Sequence, residues 1–212
     1  MGTFTSTGSG GNWTDDSTWA ETGQPAADGT DHCIISAGDT VTLTGNTGTG
    51  SIKISGTIVG GGHTLTLNRA SSNKPFDNDG TIESGSDLNV TITNTGLQQD
   101  GLLLDAMGSS GNINDLTLNM ANGTTANKTI GIADATTIDG DLTITSGTLN
   151  TSFAGGTAAD LTVTGATDVT GTLTLNNSAV SLGALRANSG AAITQSSSGT
   201  LELTSNDAGL NA

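Results

Sequence analysis

Carboxylates are the most numerous potentially reactive groups in this chain, with Asp and Glu together numbering 20 among 212 residues. Three pairs stand close enough in sequence to suggest acid–base work: Asp15/Asp16, Asp77/Asp79 and Asp139/Asp141. Glycoside hydrolysis needs two carboxylates about 5 to 9.5 Å apart, and i, i+2 partners on an extended segment share a face. Each pair, however, flanks a glycine or lies in a polar loop, where a solvated turn aspartate is the ordinary occupant. With Lys and Arg numbering only 5 and aromatics at 2%, little is available to orient a sugar. No catalytic residue is expected, and the chain is read as not an enzyme.

Metal chemistry fares no better. Asp77, Asn78, Asp79 and Gly80, with Glu83 beyond, form a fragment of a calcium loop, but the full ligand set and its 12-residue span are missing. His32, Cys33 and His63 do not make a zinc pattern, because adjacent strand residues point to opposite faces and a fourth ligand is absent. Neither a metal nor any other cofactor is expected. Cys33 is the single cysteine, which excludes an internal disulfide and suggests a small buried apolar residue. Thr-x-Thr pairs at 40/42/44, 64/66, 91/93, 143/145, 162/164 and 172/174 offer a different surface. Stacked strand over strand they would form a threonine ladder of the kind ice-binding solenoids present; otherwise they are favoured exposed residues of strands. Six Asn-x-Ser/Thr triplets, at Asn12, Asn89, Asn122, Asn127, Asn150 and Asn176, are accounted for by composition alone.

The elements that must position these residues are strands. The chain holds 39 Thr, 21 Ser and 32 Gly, with hydrophobic residues at 33% falling in short regular runs rather than diluted as in a disordered chain. A polar residue, Gly, Thr or Asp and an aliphatic residue recur as SGTI (55–58), DGTI (79–82), DGDL (139–142), SGTL (146–149), TGTL (170–173) and SGTL (198–201), with looser versions at 38–41 and 62–67. Each reads as a turn followed by a strand start. In TVTLT, TLTLN, NVTIT, DLTLN, DLTIT, DLTVT, TLTLN and TLELT, apolar residues take every second place. Shorter pieces (SIKI, TIV, TTID, ATDV, AVSL) lie between, and no segment sustains helical spacing.

Aligned on their first apolar residues, the long strands start at Val41, Leu65, Leu88, Leu116, Leu142, Leu161, Leu173 and Leu201. The first five are 24, 23, 28 and 26 residues apart and the rest 19, 12 and 28, so either the register breaks or one strand belongs to another face. A solenoid coil of two or three short strands takes about 20 to 28 residues. A β-sandwich also suits regular strands, but it leans on aromatic core residues and tight hairpin turns. The expected fold is therefore all-β: a right-handed parallel β-helix of about seven to nine coils, roughly 35–45 Å long. Residues 1–37 are expected to form an irregular N-terminal cap or docking segment and 38–212 the repeats. The polar tail SNDAGLNA looks too slight to cover the last coil, which points to a partner subunit or a further domain there.

The formal net charge of -15 disfavours a nucleic-acid backbone and an anionic membrane surface. No run approaches the length of a membrane span, and the opening MGTFTSTGSGGNW has no basic or apolar signal region. The stretch 10–45, through Asn12, Trp13, Asp16, Trp19, Pro25, Asp31, Ile34, Ile35, Gly38, Asp39, Thr40, Val41 and Leu43, resembles the opening module of bacterial cell-surface and phage structural proteins. The phrases GTLTLNN and GDLTITSGTLN are similar to adhesin or virion β-helix repeats. The resemblance implies a right-handed β-helix serving attachment or assembly. The expected function is a bacteriophage capsid decoration, cement or head-fibre subunit, assembled in the host cytoplasm and located on the virion. Its expected partners are further copies, as a homotrimer, and the major capsid protein or another virion protein. Asn12, Trp13, Trp19 and Pro25 are the expected cap or docking residues. The alternatives are a fragment of a secreted adhesin or receptor-binding fibre, extracellular or on the cell surface, and an ice-binding solenoid.

Overall fold

A computed structural model describes residues 2–26, 29–68, 74–93, 102–105, 110–120, 129–152, 158–196 and 198–205. Among them the chain is all-β, apart from one three-residue 3-10 turn at Asp16–Thr18. Every strand pair in its three sheets is parallel. Alternating Thr and aliphatic residues account for the strands: β-branched side chains suit the pleated surface, and period-two alternation buries one side of each.

The first sheet has nine strands: β1 (Thr3–Thr5), β3 (His32–Ile35), β6 (Ser51–Ile54), β9 (Phe76–Asn78), β12 (Leu102–Asp105), β14 (Thr129–Ile132), β17 (Thr148–Asn150), β19 (Thr172–Leu175) and β21 (Ala192–Gln195). The second has four: β2 (Gly10–Asn12), β4 (Thr40–Thr42), β7 (Thr57–Val59) and β10 (Thr81–Ile82). The third runs through β5 (Thr47–Thr49), β8 (Thr64–Leu67), β11 (Asn89–Ile92), β13 (Leu116–Asn119), β16 (Leu142–Ser146), β18 (Leu161–Val169), β20 (Ala179–Ala187) and β22 (Thr200–Leu203), with β15 (Thr136–Ile138) beside β18. Chain order and stacking order agree in all three, so each pass of the chain lies on the one before. Their inward residues pack as one core of Ile, Leu and Val, closed at one end by Trp13, Trp19 and Phe4.

All six glycine phrases begin strands, but on three different sheets: β7 and β10 on the second, β16 and β22 on the third, β17 and β19 on the first. The single column expected from the first apolar residues is corrected accordingly. Val41 lies on the second sheet and Leu173 on the first, while Leu65 faces Val90 rather than Leu88. The true column on the third sheet is Leu65, Val90, Leu116 and Leu142, at intervals of 25, 26 and 26 residues. The reason is local: a glycine corner followed by Thr and an aliphatic residue starts a strand equally well on any face. At the corner before β7 and β10, close approach requires the glycines themselves. A Cβ on Gly56 would stand 2.2 Å from the Ser36 carbonyl oxygen, and one on Gly80 2.2 Å from that of Gly56.

The cross-section changes along the stack. After β10 the second sheet stops among the described residues, and a parallel bridge between Thr81 and Ser110 joins it to the next pass. Further on, β18 pairs with β15 through Leu161–Val163 and with β16 through Thr167–Val169, so one nine-residue strand covers what two strands and a corner did before. Among the described residues no helix is long and apolar enough to cross a membrane.

Candidate functional site

Of the four cap residues read from the sequence, the structure brings Trp13 and Trp19 into contact and leaves Asn12 at the surface. After β2, the Trp13 amide donates to the Thr42 carbonyl at 2.8 Å, which aims its side chain inward. The 3-10 turn then reverses the chain, with the Thr18 amide on Asp15 O at 2.9 Å and the Thr18 hydroxyl on Asn12 O at 2.7 Å. Trp19 thereby folds back onto Trp13, ring centroids 5.2 Å apart at 78°, with Phe4 edge-on to Trp19 at 6.3 Å. The Trp19 indole N–H donates to the Trp13 carbonyl at 2.9 Å, whereas the buried Trp13 Nε1 has no hydrogen-bond partner. Both indoles, 1% and 4% exposed, face the chain's own core. Pro25 is buried, and the exposed Asn12 side chain donates to Asp15 Oδ2 at 3.0 Å.

The same segment closes the outer edge of β1. The Thr5 carbonyl accepts from the Ala20 amide at 2.8 Å, the Thr7 amide donates to Thr18 O at 3.0 Å, and the Thr5 amide donates to Glu21 Oε2 at 2.8 Å. Asp31 and Asp39, two acids of the resemblance, act as tie points. Asp31 accepts from the Gly2 amide at 2.7 Å and the Ala26 amide at 3.0 Å; Asp39 accepts from the Ser6 hydroxyl at 2.6 Å and the Ser9 amide at 3.0 Å.

The acid pairs considered for catalysis have other work. Lys53 faces Asp77 across neighbouring strands and contacts both Asp77, at 3.4 Å, and Asp79, at 2.8 Å, while Lys74 reaches Asp77 at 3.0 Å. The Lys53 ammonium holds the Asp79 carboxyl below its usual range, and Asp79 in turn raises the Lys53 pKa. Asn78 turns inward and accepts the Gly80 amide at 3.1 Å, so the calcium-loop fragment does not converge. Among the described residues no three His, Cys, Asp or Glu side chains could hold a metal ion. Asp15 and Asp16 sit at the 3-10 turn, both exposed.

Asp139 and Asp141 part company: Asp139 accepts from the Asn112 amide group at 3.0 Å, and Asp141 accepts the Ala166 backbone amide at 2.7 Å. Asp141 belongs to a series that motif reading missed. Asn46 accepts the Thr64 amide at 2.9 Å, Asn89 the Asp115 amide at 3.2 Å, Asp115 the Asp141 amide at 2.8 Å and Asp160 the Ala179 amide at 2.8 Å. Each side chain on one pass thus satisfies a backbone donor on the next. The signal was present in the sequence as the repeated phrase Asp-Leu-Thr-aliphatic at 115–118, 141–144 and 160–163.

Cys33 is fully buried and donates to the Thr49 hydroxyl at 3.2 Å; burial pushes its thiol up to about 12. His32, on the other face, meets the Ser51 hydroxyl at 2.6 Å. The threonine pairs divide among the sheets. Thr66, Thr91, Thr117 and Thr143 form one column on the third sheet, flanked by Gly48 and Asp168. Thr40 and Thr42 lie on the second sheet and Thr172 and Thr174 on the first. Asn150 and Asn176, two of the triplet asparagines, hydrogen-bond each other through their side chains; Asn122 and Asn127 lie outside the described residues, as does the tail 206–212.

One feature was not anticipated. A polar cleft of about 350 Å³ opens where the second sheet ends, between Glu83 and Asp87 on one pass and Asn112, Asn114 and Asp139 on later ones. At the far end of the stack, β21 and β22 are the terminal strands of their sheets, and no described strand pairs with their outer edges. Of the inward-facing residues there, Ile193 and Leu201 are half-buried and Leu203 is 52% exposed. Compared with known protein families, with curated proteins and with solved structures, the chain finds no match in any of the three.

Proposed function

We propose that this chain is a non-catalytic structural subunit, a right-handed β-solenoid whose three parallel sheets are the faces of one rod. The observation that carries the reading is the use made of the carboxylates. Asp77 and Asp79 clamp Lys53, and Asp115, Asp141 and Asp160 fasten each pass to the next. Groups that an enzyme would aim at a substrate are here engaged in stiffening a stack. Among phage and cell-surface roles, a capsid decoration, cement or head-fibre subunit fits best: a rigid, hydroxyl-covered, acidic rod adds buried area or projection and performs no chemistry. The proposed partners are further copies of the chain and a capsid protein, and the proposed location is the virion.

Mass spectrometry of purified particles from the source organism or its phages tests this. Recovery of the chain at stoichiometric, salt-resistant occupancy is the expected result. Its absence from every particle fraction, with recovery from the cell surface, would move the assignment to the adhesin alternative.

A further inference from the structure

Several stacked hydroxyls of this chain bond one another or the backbone. The Thr194 hydroxyl donates to that of Thr174 at 3.2 Å and the Ser178 hydroxyl to that of Thr151 at 2.7 Å, while Thr49 and Thr136 donate to carbonyls. The column Thr66, Thr91, Thr117 and Thr143 departs from this. The four stand directly opposite one another on β8, β11, β13 and β16, half-exposed, and none of their hydroxyls has a hydrogen-bond partner among the described residues. Leu65, Leu67, Val90, Ile92, Leu116, Leu118, Leu142 and Ile144 on either side of them in sequence are buried, so the backbone beneath the column is fixed. Parallel strands in register set the threonines about 4.7–4.9 Å apart, and branching at Cβ restricts each side chain at χ1.

We infer that this column is the centre of an ice-binding face. Its hydroxyls and methyl groups order water at the repeat of the strands, and that water joins the ice lattice. Three observations select this ligand. First, the row is neutral and calls for no counter-ion: the charged residues next in line, Asp168 and Arg186, pair with each other at 3.6 Å. In the flanking positions Asn89, Asp115 and Asp141 give their side-chain oxygens to backbone amides of the following pass. Second, stacking against sugar rings is not offered, since Trp13, Trp19 and Phe76 are all buried. Third, the array repeats along a sheet face rather than converging in a cleft, as a discrete small ligand would require. A ligand that is itself periodic and made of hydrogen-bond donors and acceptors fits such a row. Thr129, Thr148 and Thr172 form a shorter column on the first sheet, spanning three passes where the other spans four. The inference goes beyond the structural role and is independent of a virion location.

Thermal hysteresis and inhibition of ice recrystallisation, measured on the full chain against an inert protein at equal concentration, test it. The native chain is expected to show both. Thr91→Lys and Thr117→Lys are expected to abolish them with an unchanged circular dichroism spectrum, and Thr148→Lys, in the shorter column, to leave them as they are. Should the lysine variants fail to fold, Thr117→Val decides: it keeps the shape and a methyl group, removes the hydroxyl, and is expected to lower the activity. No activity in the native chain, full activity in folded Thr117→Lys or in Thr117→Val, or loss in Thr148→Lys would each overturn the inference. So would binding of the native chain, but not of Thr117→Lys, to insoluble cellulose or chitin without any effect on ice, which would make the face a polysaccharide site. None of these results bears on whether the chain is found in particles.

Discussion

The two tryptophans at the sealed end differ by one hydrogen bond, and that difference can be measured. The Trp19 indole N–H is satisfied by the Trp13 carbonyl at 2.9 Å, whereas the Trp13 Nε1 is buried without a partner. Replacing Trp19 by Phe keeps a ring against Trp13 and Phe4 but removes the donor and part of the buried area. A net hydrogen bond contributes about 0.5–1.5 kcal/mol, and an acceptor left buried without a donor adds to the loss. Trp19→Phe is therefore expected to cost about 2 kcal/mol. Trp13→Phe also loses ring area, but it removes a buried unsatisfied donor whose desolvation costs about 1–3 kcal/mol, so its net effect is expected to fall within about 1 kcal/mol of zero. Truncation of either residue to Ala should cost about 3–5 kcal/mol, as for other large core aromatics. Urea unfolding followed by far-ultraviolet circular dichroism avoids the changed fluorescence of the variants, and equal m-values would license the comparison. The reasoning fails if Trp13→Phe proves as destabilising as Trp19→Phe.

Three further outcomes follow from other parts of the stack. Asp115→Ala, which strips the acceptor from the Asp141 amide, is expected to lower stability by about 1 kcal/mol and to speed amide exchange at residue 141, while Asp115→Asn keeps an acceptor and should do less; equal effects would remove the brace. Thr167 is fully buried and its hydroxyl has no partner, so the isosteric Thr167→Val should raise stability by about 1 kcal/mol, seen as a higher urea midpoint. Cys33, with its thiol raised from 9.0 to about 12, favours the protonated form in the folded chain. Its contribution to stability is complete below pH 9 and is lost as pH climbs from there through 12; Cys33→Ala should flatten that alkaline decline, and the native thiol should resist a disulfide reagent at pH 8.

Strand type was legible in the sequence because alternation is a local property. TLTL at 64–67 and LTLN at 116–119 can bury one side only as strands, and the glycine phrases mark where each begins. Face was not legible, because nothing in SGTI at 55–58 or SGTL at 146–149 distinguishes a corner leading to the second sheet from one leading to the first. Register decides that, and register is set by stacking across some 25 residues. The same separation hid the partners of the acids. Lys53 meets Asp77 and Asp79 only because β6 and β9 are neighbours, and Asp115 meets the Asp141 amide only because β13 and β16 are. Short spacing invited a catalytic reading of Asp139 and Asp141, yet their side chains serve Asn112 and Ala166 respectively. Pairing in space followed the stack, and proximity in sequence was a poor guide to it.

Parallel strands stacked in chain order carry a hazard: each end of a sheet is a copy of its interior, so nothing in the sheets themselves prevents one stack from templating on another. With residues 18–21 on the edge of β1 and the indoles beneath, that edge offers no template to a further strand. The concentration of acids before Lys53 adds repulsion to that barrier. Trp13, Trp19 and Phe4 gather beneath that edge, while Phe76 is the described aromatic residue that packs farther along the stack: thin aliphatic layers suffice where another pass lies above, and wide rings cover the edge where no described pass does.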